Sequence, residues 1–438
     1  MKLDSQQTKI INSSEKNIIV VAGAGSGKTT VLTERIRHLI NDLHVKPADI
    51  TAITFTNMAA DEMKERLSDI EGIEDAFIGT IHSFANKIML ASGVYYRLLT
   101  DEIHFALCAE LISKYCKHLT VDKYTTFHEM ASQVKFGKYT KKEVEDFLSD
   151  EEMAEYKFLY SETPAADFPE TVPSLCKARN IITFDTLLRY ANTYFTKHNI
   201  SIKYCFVDEF QDVGNLENRF IESLNAENYF LVGDDWQSIY KFKGANVEIF
   251  KSRIKNPYWT TYYMTNNYRN ARKIIETANT VIDSVKDRLP KNIIPVNQNR
   301  GTVIVKDKSM LSDYLDIIKM SEGFGQWFFL ARLNADCVKL LNECKKKGIP
   351  ATMFKQGDLT LQELREQMAG DCVKILTVHS AKGLENENVL LYGNFPVTVK
   401  NPSNRHFKSK YEKKVNPEER RIMYVGVTRA RNSLLILN

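Results

Sequence analysis

Along this chain, short continuous apolar runs alternate with stretches whose apolar positions recur every three or four residues. The runs at 17–22, 50–55, 203–207, 229–233, 302–305, 327–331, 373–377, 389–392 and 433–437 are rich in Ile, Val, Leu and Phe. Runs this short, apolar throughout rather than alternating, predict strands buried on both faces, as in parallel sheets. Another strand is expected to close at Asn266-Asn267-Tyr268-Arg269. Between the runs, residues 3–14, 59–67, 271–285, 335–347, 359–368 and 418–431 carry a helical period, with Ser5 a candidate cap for the first. Lys345, Lys346 and Lys347 followed by Gly348 read as a helix C-terminus. Strand and helix in alternation predict an α/β fold. From about residue 85 to 200 the strand signal fades, and amphipathic stretches at 102–119 and 141–160 predict a mostly helical insertion. Pro164, Pro169 and Pro173 mark a loop between such segments.

Composition narrows this only modestly. A chain of 438 residues has room for two to four domains, and 43% hydrophobic with 26% charged residues is ordinary for a globular protein. A net charge of +4 admits an anionic partner without demanding one. The seven cysteines are scattered with no C-x-x-C pair, which argues against a zinc site or a disulfide framework and for reduced thiols. With no signal peptide at the start and no apolar run of membrane-spanning length, a cytoplasmic protein without membrane contact is expected.

The chemistry collects at the ends of the predicted strands. Ala22-Gly23-Ala24-Gly25-Ser26-Gly27-Lys28-Thr29-Thr30 is a small-residue loop between a strand and a helix, the arrangement that turns backbone N–H groups around phosphate. Lys28 would reach the β- and γ-phosphates and Thr29 would ligate Mg²⁺. The strict pattern asks for Gly where Ala22 stands. The strand before Asp208-Glu209-Phe210-Gln211-Asp212 ends in two acids, one to hold Mg²⁺ and one to polarise a water. Gln7 could read an adenine edge or be a solvated helix residue. Thr54-Phe55-Thr56-Asn57 and Gly79-Thr80-Ile81-His82-Ser83 place hydroxyls, aromatics and an amide where phosphate and base contacts occur; the plainer reading is a pair of capped loops. Tyr240-Lys241-Phe242-Lys243 interleaves aromatics and cations, as single-strand platforms do, or as core plus rim. The lysines at 135, 138, 141 and 142 could touch phosphates and the basic stretch 400–414 could contact DNA; the plainer reading of both is solvated surface.

These pieces in this order resemble the UvrD/Rep/PcrA-like helicases of superfamily 1, in a compact form. The resemblance rests on Gln7, the loop from Ala22 to Thr29, Thr54 to Asn57, Gly79 to Ser83, the Asp208-Glu209-Phe210-Gln211 box, Gly233 to Tyr240, Asn267 to Arg269, Thr377 to Glu385, and Tyr424 to Ala430. The family tolerates Ala at the first loop position. The resemblance implies two RecA-like P-loop motor domains with ATP between them: residues 1–84 and 201–265 as the first, 85–200 as the helical insertion, and 266–438 as the second. It implies Lys28, Glu209, Gln237, Arg269 and Arg429 as catalytic, with Glu209 the base, Gln237 sensing the γ-phosphate and the two arginines acting from the far domain. Gln7, the loop Ala22, Gly23, Ala24, Gly25, Ser26, Gly27, Lys28, Thr29 and Thr30, Tyr268 stacked on adenine, and Glu385 would bind nucleotide. Thr29 and Asp208 would hold Mg²⁺. Phe55, Thr56, Asn57, Thr80, His82, Tyr240, Phe242, Thr377 and His379 would line single-stranded or tailed DNA, along which the family moves 3′→5′.

The chain departs from the family in places. Thr30 stands where relatives often carry Arg, Met58 where Lys is common, Trp236 where Asp is common, Phe242-Lys243 for Trp-Arg, and Asn386 where an aromatic is usual. About twenty residues, 351–372, occupy the place of the large 2B insertion of longer members, far short of a domain. That predicts a chain without 2B, and a protein partner, or the 400–414 stretch, to replace it. Three readings stand at this point: an ATP-driven motor on single-stranded DNA, a DNA-binding subunit gated by its ATPase, and a small-molecule kinase. The last does not explain the Asp-Glu-Phe-Gln box or the second α/β unit.

Overall fold

The computed structural model describes residues 3–134, 141–163, 165, 168–321, 323–354, 361–395 and 416–438. Two units emerge, Met1–Phe84 with Asn199–Asn438, and Ala85–His198. The first unit is α/β and holds two six-stranded sheets. In spatial order the first sheet runs Phe77–Thr80, Ile50–Thr54, Tyr204–Val207, Asn228–Gly233, Asn17–Ala22, Thr260–Met264. The second runs Thr302–Lys306, Ala430–Leu437, Asn386–Tyr392, Trp327–Ala331, Val373–Thr377, Ala351–Met353. Every pairing in both is parallel, with Val20, for example, opposite both Val232 and Tyr262.

Parallel strands send all their C-terminal ends to one edge, so the loops that follow converge there. Asn17–Ala22, Ile50–Thr54, Phe77–Thr80, Tyr204–Val207 and Asn228–Gly233 thus deliver the glycine loop, Phe55, His82, Asp208 and Gln237 to a common edge. The apolar runs are continuous because both sheet faces are covered: Ile18, Val20, Phe206, Phe230 and Val232 form one core, and Phe328, Leu330, Leu376, Val389, Leu391 and Ile436 another. The second core extends onto Ala24, Trp236 and Ile239, which follow strands of the first sheet. Burying a side chain the size of Ile239 contributes about 1.5–3 kcal/mol, so this apolar seam is a substantial tie between the two sheets.

Several predicted bounds move. Asp4, not Ser5, caps the first helix, Ser5–Ile11, in a reciprocal capping box with Gln7. The helix expected over 418–431 is Pro417–Val427, and a strand begins at Ala430. Arg429 lies in the turn between them, and its Nε donates to Val425 O (2.9 Å), satisfying a carbonyl that continued helix would have used. Arg431 falls in the strand. The interval 351–372 holds an edge strand, Ala351–Met353, and a helix, Leu361–Met368.

The second unit is mainly helical, with Asp101–Tyr115, Val121–Val134, Asp150–Leu159, Val172–Ala178 and Phe184–His198 as its longer helices. Leu107, Cys108, Leu111, Tyr124 and Leu159 lie in its core. The helix expected over 141–160 is two, Lys141–Glu145 and Asp150–Leu159, because Ser149 and Glu152 form a capping box that starts the second afresh. Pro173 sits in the first turn of Val172–Ala178, where a missing N–H costs nothing, rather than in a loop. The Glu155 carboxylate accepts from the backbone N–H groups of Lys117, His118 and Leu119 (2.8, 3.0 and 2.7 Å), which fixes the approach to Val121–Val134. Lys135, Lys138, Pro164 and the basic stretch 400–414 lie outside the described residues.

Candidate nucleotide cleft and nucleic-acid strip

The strand Asn17–Ala22 runs into a loop whose Gly25 and Gly27 have φ of 63° and 84°, backbone that side chains rarely adopt. Space forbids a side chain as well. A Cβ on Gly25 would lie 2.7 Å from Arg269 Cβ, and one on Gly27 2.9 Å from Gln7 Nε2. Ala22 belongs to the strand and its side chain is in the core, so the position that departs from the strict pattern needs no glycine. The loop opens the helix Lys28–Asn41, whose first turn offers unpaired N–H groups and the positive end of its dipole.

These elements form one wall of a cleft of about 420 Å³. Gly25, Ser26, Gly27, Lys28, Thr29, Thr30 and Glu209 line it from the first sheet, with Gln237; Arg269, Glu385 and Arg429 line it from the far side. Glu62 and Arg66 from the helix Asn57–Leu67, and Met368, Gly383 and Leu384, complete it.

Inside the cleft, Lys28 Nζ donates to Glu209 Oε1 at 2.8 Å. Glu209 itself has φ of 49°, a left-handed conformation for a residue with a Cβ, of the kind held at functional sites by surrounding contacts. Burial works against its charge, but Lys28 and Lys382 outweigh burial and hold the carboxyl below its usual range. Asp208 is buried, and burial together with Glu209 pushes its carboxyl up to about 6. Asp208 Oδ1 accepts the Glu209 N–H at 2.8 Å.

A hydrogen-bonded relay leaves Glu209. Gln211 Nε2 donates to Glu209 Oε2 (2.5 Å), and Gln211 Oε1 accepts from the Asp234 N–H (2.7 Å). Asp234 Oδ2 accepts from Gln237 Nε2 (2.5 Å), and Gln237 Oε1 accepts from Arg429 Nη2 (3.0 Å). Arg429 is 1% exposed and also donates to Leu384 O (3.1 Å) and Thr428 Oγ1 (3.1 Å). Burial and nearby Arg269 lower its guanidinium to about 9, which leaves it charged at neutral pH. Arg269 forms an ion pair with Glu385, which also binds Arg431.

At one end of the loop, Gln7 Nε2 donates to Ser26 O (3.1 Å) and Gln7 Oε1 accepts from the Asp4 N–H (3.0 Å). Tyr268 donates its hydroxyl to Asp4 and its N–H to Gly25 O (2.9 Å). Gln7 and Tyr268 therefore brace the glycine loop through Asp4. Gly23 donates its N–H to Met264 O (2.9 Å), and Ala24 O accepts from Asn267 Nδ2 (2.6 Å); with Ala22 they sit behind the cleft wall.

A second constellation lies beside the cleft. Phe55 stacks on Tyr240, with ring centroids 5.4 Å apart and planes 17° apart. Phe242 meets the His379 ring edge-on at 5.4 Å, and Tyr240 donates its hydroxyl to His379 O (3.2 Å). Phe55 and Phe242 are 39% and 56% exposed, so the strip presents aromatic area to solvent. Thr56 caps the helix Asn57–Leu67, Thr80 Oγ1 accepts from the Ser83 N–H (3.2 Å) near His82, and Thr377 Oγ1 pairs with Ser380 Oγ (2.9 Å). Burial, aided by Arg332, pulls the His379 imidazole down to about 4, so it is neutral at physiological pH.

Residue-by-residue reading missed Lys382 and Lys291. Lys382 Nζ pairs with Asp212, donates to Gln237 O (3.0 Å) and lies 4.9 Å from the Tyr240 ring centre, bridging relay and strip. It stood in plain view inside the Thr377–Glu385 motif; the signal was a lysine after a strand end. Lys291 carries no local signal.

A glycine loop at a helix N-terminus, an acidic strand end beside it, and Arg269 and Arg429 on the far side define a P-loop nucleotide-binding protein with its cleft between two α/β lobes. The UvrD/REP helicase N-terminal domain matches residues 3–257 and the UvrD-like helicase C-terminal domain matches residues 352–438. The chain belongs to the UvrD/REP helicase family. It is similar to a probable DNA helicase of Mycoplasma pneumoniae, at 27% identity over 100% of this chain and 83% of that protein. It is also similar to the ATP-dependent DNA helicases PcrA of Leuconostoc citreum (30% identity, 66% of this chain, 40% of that protein) and Bacillus subtilis (29%, 66% and 41%). The chain thus spans less than half the length of these two PcrA relatives. Among the described residues, no helix is long and apolar enough to cross a membrane.

Proposed function

We propose that this chain is a DNA-dependent ATPase that moves 3′→5′ along single-stranded DNA, with ATP and Mg²⁺ held between two RecA-like domains, 1–84 with 201–265 and 266–438, and 85–200 as an insertion. The observation that carries the reading is the relay from Glu209 through Gln211, Asp234 and Gln237 to Arg429, which ties the acid beside Lys28 to an arginine of the other sheet. The kinase reading has no use for such a link.

The residues fit the nucleotide. Gly25, Ser26 and Gly27 line the cleft, and the helix start with Lys28, Arg269 and Arg429 supplies positive donors on two sides. Among the described residues no cluster of three or more His, Cys, Asp or Glu could hold a metal alone. Mg²⁺ is bound by few protein ligands plus phosphate oxygens; Thr29 and Asp208 would be those ligands here. The bound nucleotide supplies a phosphoanhydride whose hydrolysis drives the cycle. Lys28 leaves Glu209 for phosphate, and Glu209, so released, takes the proton of the attacking water. Gln237 senses the change on the first sheet's side and Arg429 on the other's, and Lys382 carries it to Tyr240 and the strip formed with Phe55, Phe242 and His379. With only about twenty residues at 351–372, whose described part forms one edge strand and one helix, we propose that duplex opening relies on a partner protein. The test is ATP turnover with and without single-stranded DNA: stimulation supports the motor, and turnover indifferent to DNA opposes it.

A further inference from the structure

Beneath the cleft, the chain buries between two carboxylates an ammonium, that of Lys291, which no step above uses. Lys291 Nζ donates to Asp234 Oδ1 (2.5 Å), Asp235 Oδ1 (2.8 Å) and Ala22 O (3.3 Å). The side chains of all three charged residues are completely buried. The ammonium also lies 4.7 Å from the Trp236 ring centre, and Trp236 Nε1 donates to Leu289 O (3.0 Å) on the segment that carries Lys291. Lys291 follows the helix Arg272–Asp283 and is flanked by Ile293, which packs in the second core, so it reaches from the second lobe into the first.

We propose that Lys291 is the positioning residue that sets Gln237 for nucleotide sensing, and so makes the sensor competent only when the segment 284–293 is docked. The proposal rests on the reading of the cleft given above. Asp234 is the link: Oδ1 is held by Lys291 and by the Trp236 N–H (3.1 Å), which leaves Oδ2 aimed at Gln237 Nε2. That contact fixes which end of the Gln237 amide faces the cleft, because Nε2 is spoken for and Oε1 is left for Arg429 and the nucleotide. Without Lys291 the Asp234 carboxylate loses its strongest partner, a charge-assisted bond, and with it the reason to keep one rotamer. The same ammonium on Ala22 O, at the root of the glycine loop, registers loop and sensor against each other.

Lys291→Met alone strands two buried carboxylates and would compromise folding. The test therefore uses the Asp235→Asn background, in which adding Lys291→Met leaves one buried negative charge in the group, the same net value as wild type. Turnover of ATP at saturating single-stranded DNA is measured for Asp235→Asn, Asp235→Asn/Lys291→Met, Gln237→Ala, and all three substitutions together. Against Asp235→Asn, Lys291→Met is expected to lower kcat roughly 10- to 100-fold, the scale of a misplaced catalytic contact. The KM for ATP and the affinity for a fluorescent ATP analogue are expected to stay within about two-fold. Adding Gln237→Ala is expected to cost nothing more, since both changes remove one device. With Trp259 and Trp327 replaced by Phe, Lys291→Met is also expected to shift Trp236 emission in the absence of nucleotide. Unchanged kcat, losses that multiply, or unmoved Trp236 emission would each overturn the proposal. If Gln237→Ala alone leaves kcat untouched, the cleft reading falls and the proposal with it. If Gln237→Ala lowers kcat while Lys291→Met does not, the proposal alone falls.

Discussion

Lys28 Nζ rests 2.8 Å from Glu209 Oε1, so the cation of the glycine loop is neutralised by the acid assigned as base. Phosphate binding and base release are then one exchange: the lysine that engages a phosphate is the lysine that frees the carboxylate. Glu209→Gln keeps the shape, removes the competing charge and cannot accept a proton. It should bind ATP more tightly than wild type while turning over at least ~10²-fold more slowly, the low end for general-base catalysis. Titration with a fluorescent nucleotide, beside steady-state turnover, reads both; weaker binding with normal turnover contradicts the exchange.

The two arginines separate by burial. Arg269 is partly exposed and paired with Glu385, so Arg269→Ala should lower kcat by as much as ~10³, on the scale of an arginine finger, with the melting temperature nearly unchanged. Arg429 is enclosed and bonds Val425 O, Leu384 O, Thr428 Oγ1 and Gln237 Oε1. Arg429→Ala should cost stability as well, about 3 kcal/mol for a buried charged group whose partners are left unpaired. Calorimetry of both variants checks the contrast, and equal melting points would refute it.

On the strip, Phe242 is 56% exposed, so Phe242→Ala should leave stability alone. Single-stranded DNA affinity should fall by roughly 1–3 kcal/mol if a base stacks there. Fluorescence anisotropy with a labelled oligonucleotide measures it; unchanged affinity removes Phe242 from the platform.

His379 gives a pH signature. Burial, with Arg332 and Lys382 opposing a positive charge and Glu419 favouring it, lowers the imidazole from 6.5 to about 4. A folded value below the unfolded one means the unfolded chain takes up the proton first. Stability tied to His379 is therefore complete above about pH 6.5 and is lost as pH falls toward about 4. His379→Gln should flatten that part of the denaturation-midpoint profile; an unaltered profile would show the ring is not held neutral.

Much of this was legible from residue order alone. The run 327–331 became the strand Trp327–Ala331, since a strand buried on both faces needs only unbroken apolarity. The helix over 418–431 was overdrawn because Arg429 continues the helical spacing, and only its buried guanidinium shows that it caps the helix instead. Lys291 was illegible for a different reason. Its partners Ala22, Asp234 and Asp235 lie 269, 57 and 56 positions away, and no local pattern records a contact made by the fold.

Between Phe354 and Cys372 the described residues hold one helix, Leu361–Met368, where longer relatives in the resemblance carry a domain. The isolated chain should therefore translocate on single strands yet open a 3′-tailed duplex poorly until a partner protein is added. Unwinding assays against tail length check this; processive opening by the monomer alone would contradict it.

Lys28, Glu209 and the strip together should produce directed movement driven by ATP. Streptavidin displacement from oligonucleotides biotinylated at either end tests it directly. ATP-dependent release from the 5′ end, with little from the 3′ end, and loss of both in Lys28→Ala, is the predicted result. Release favouring the 3′ end, or none at either end despite DNA-stimulated hydrolysis, would contradict it.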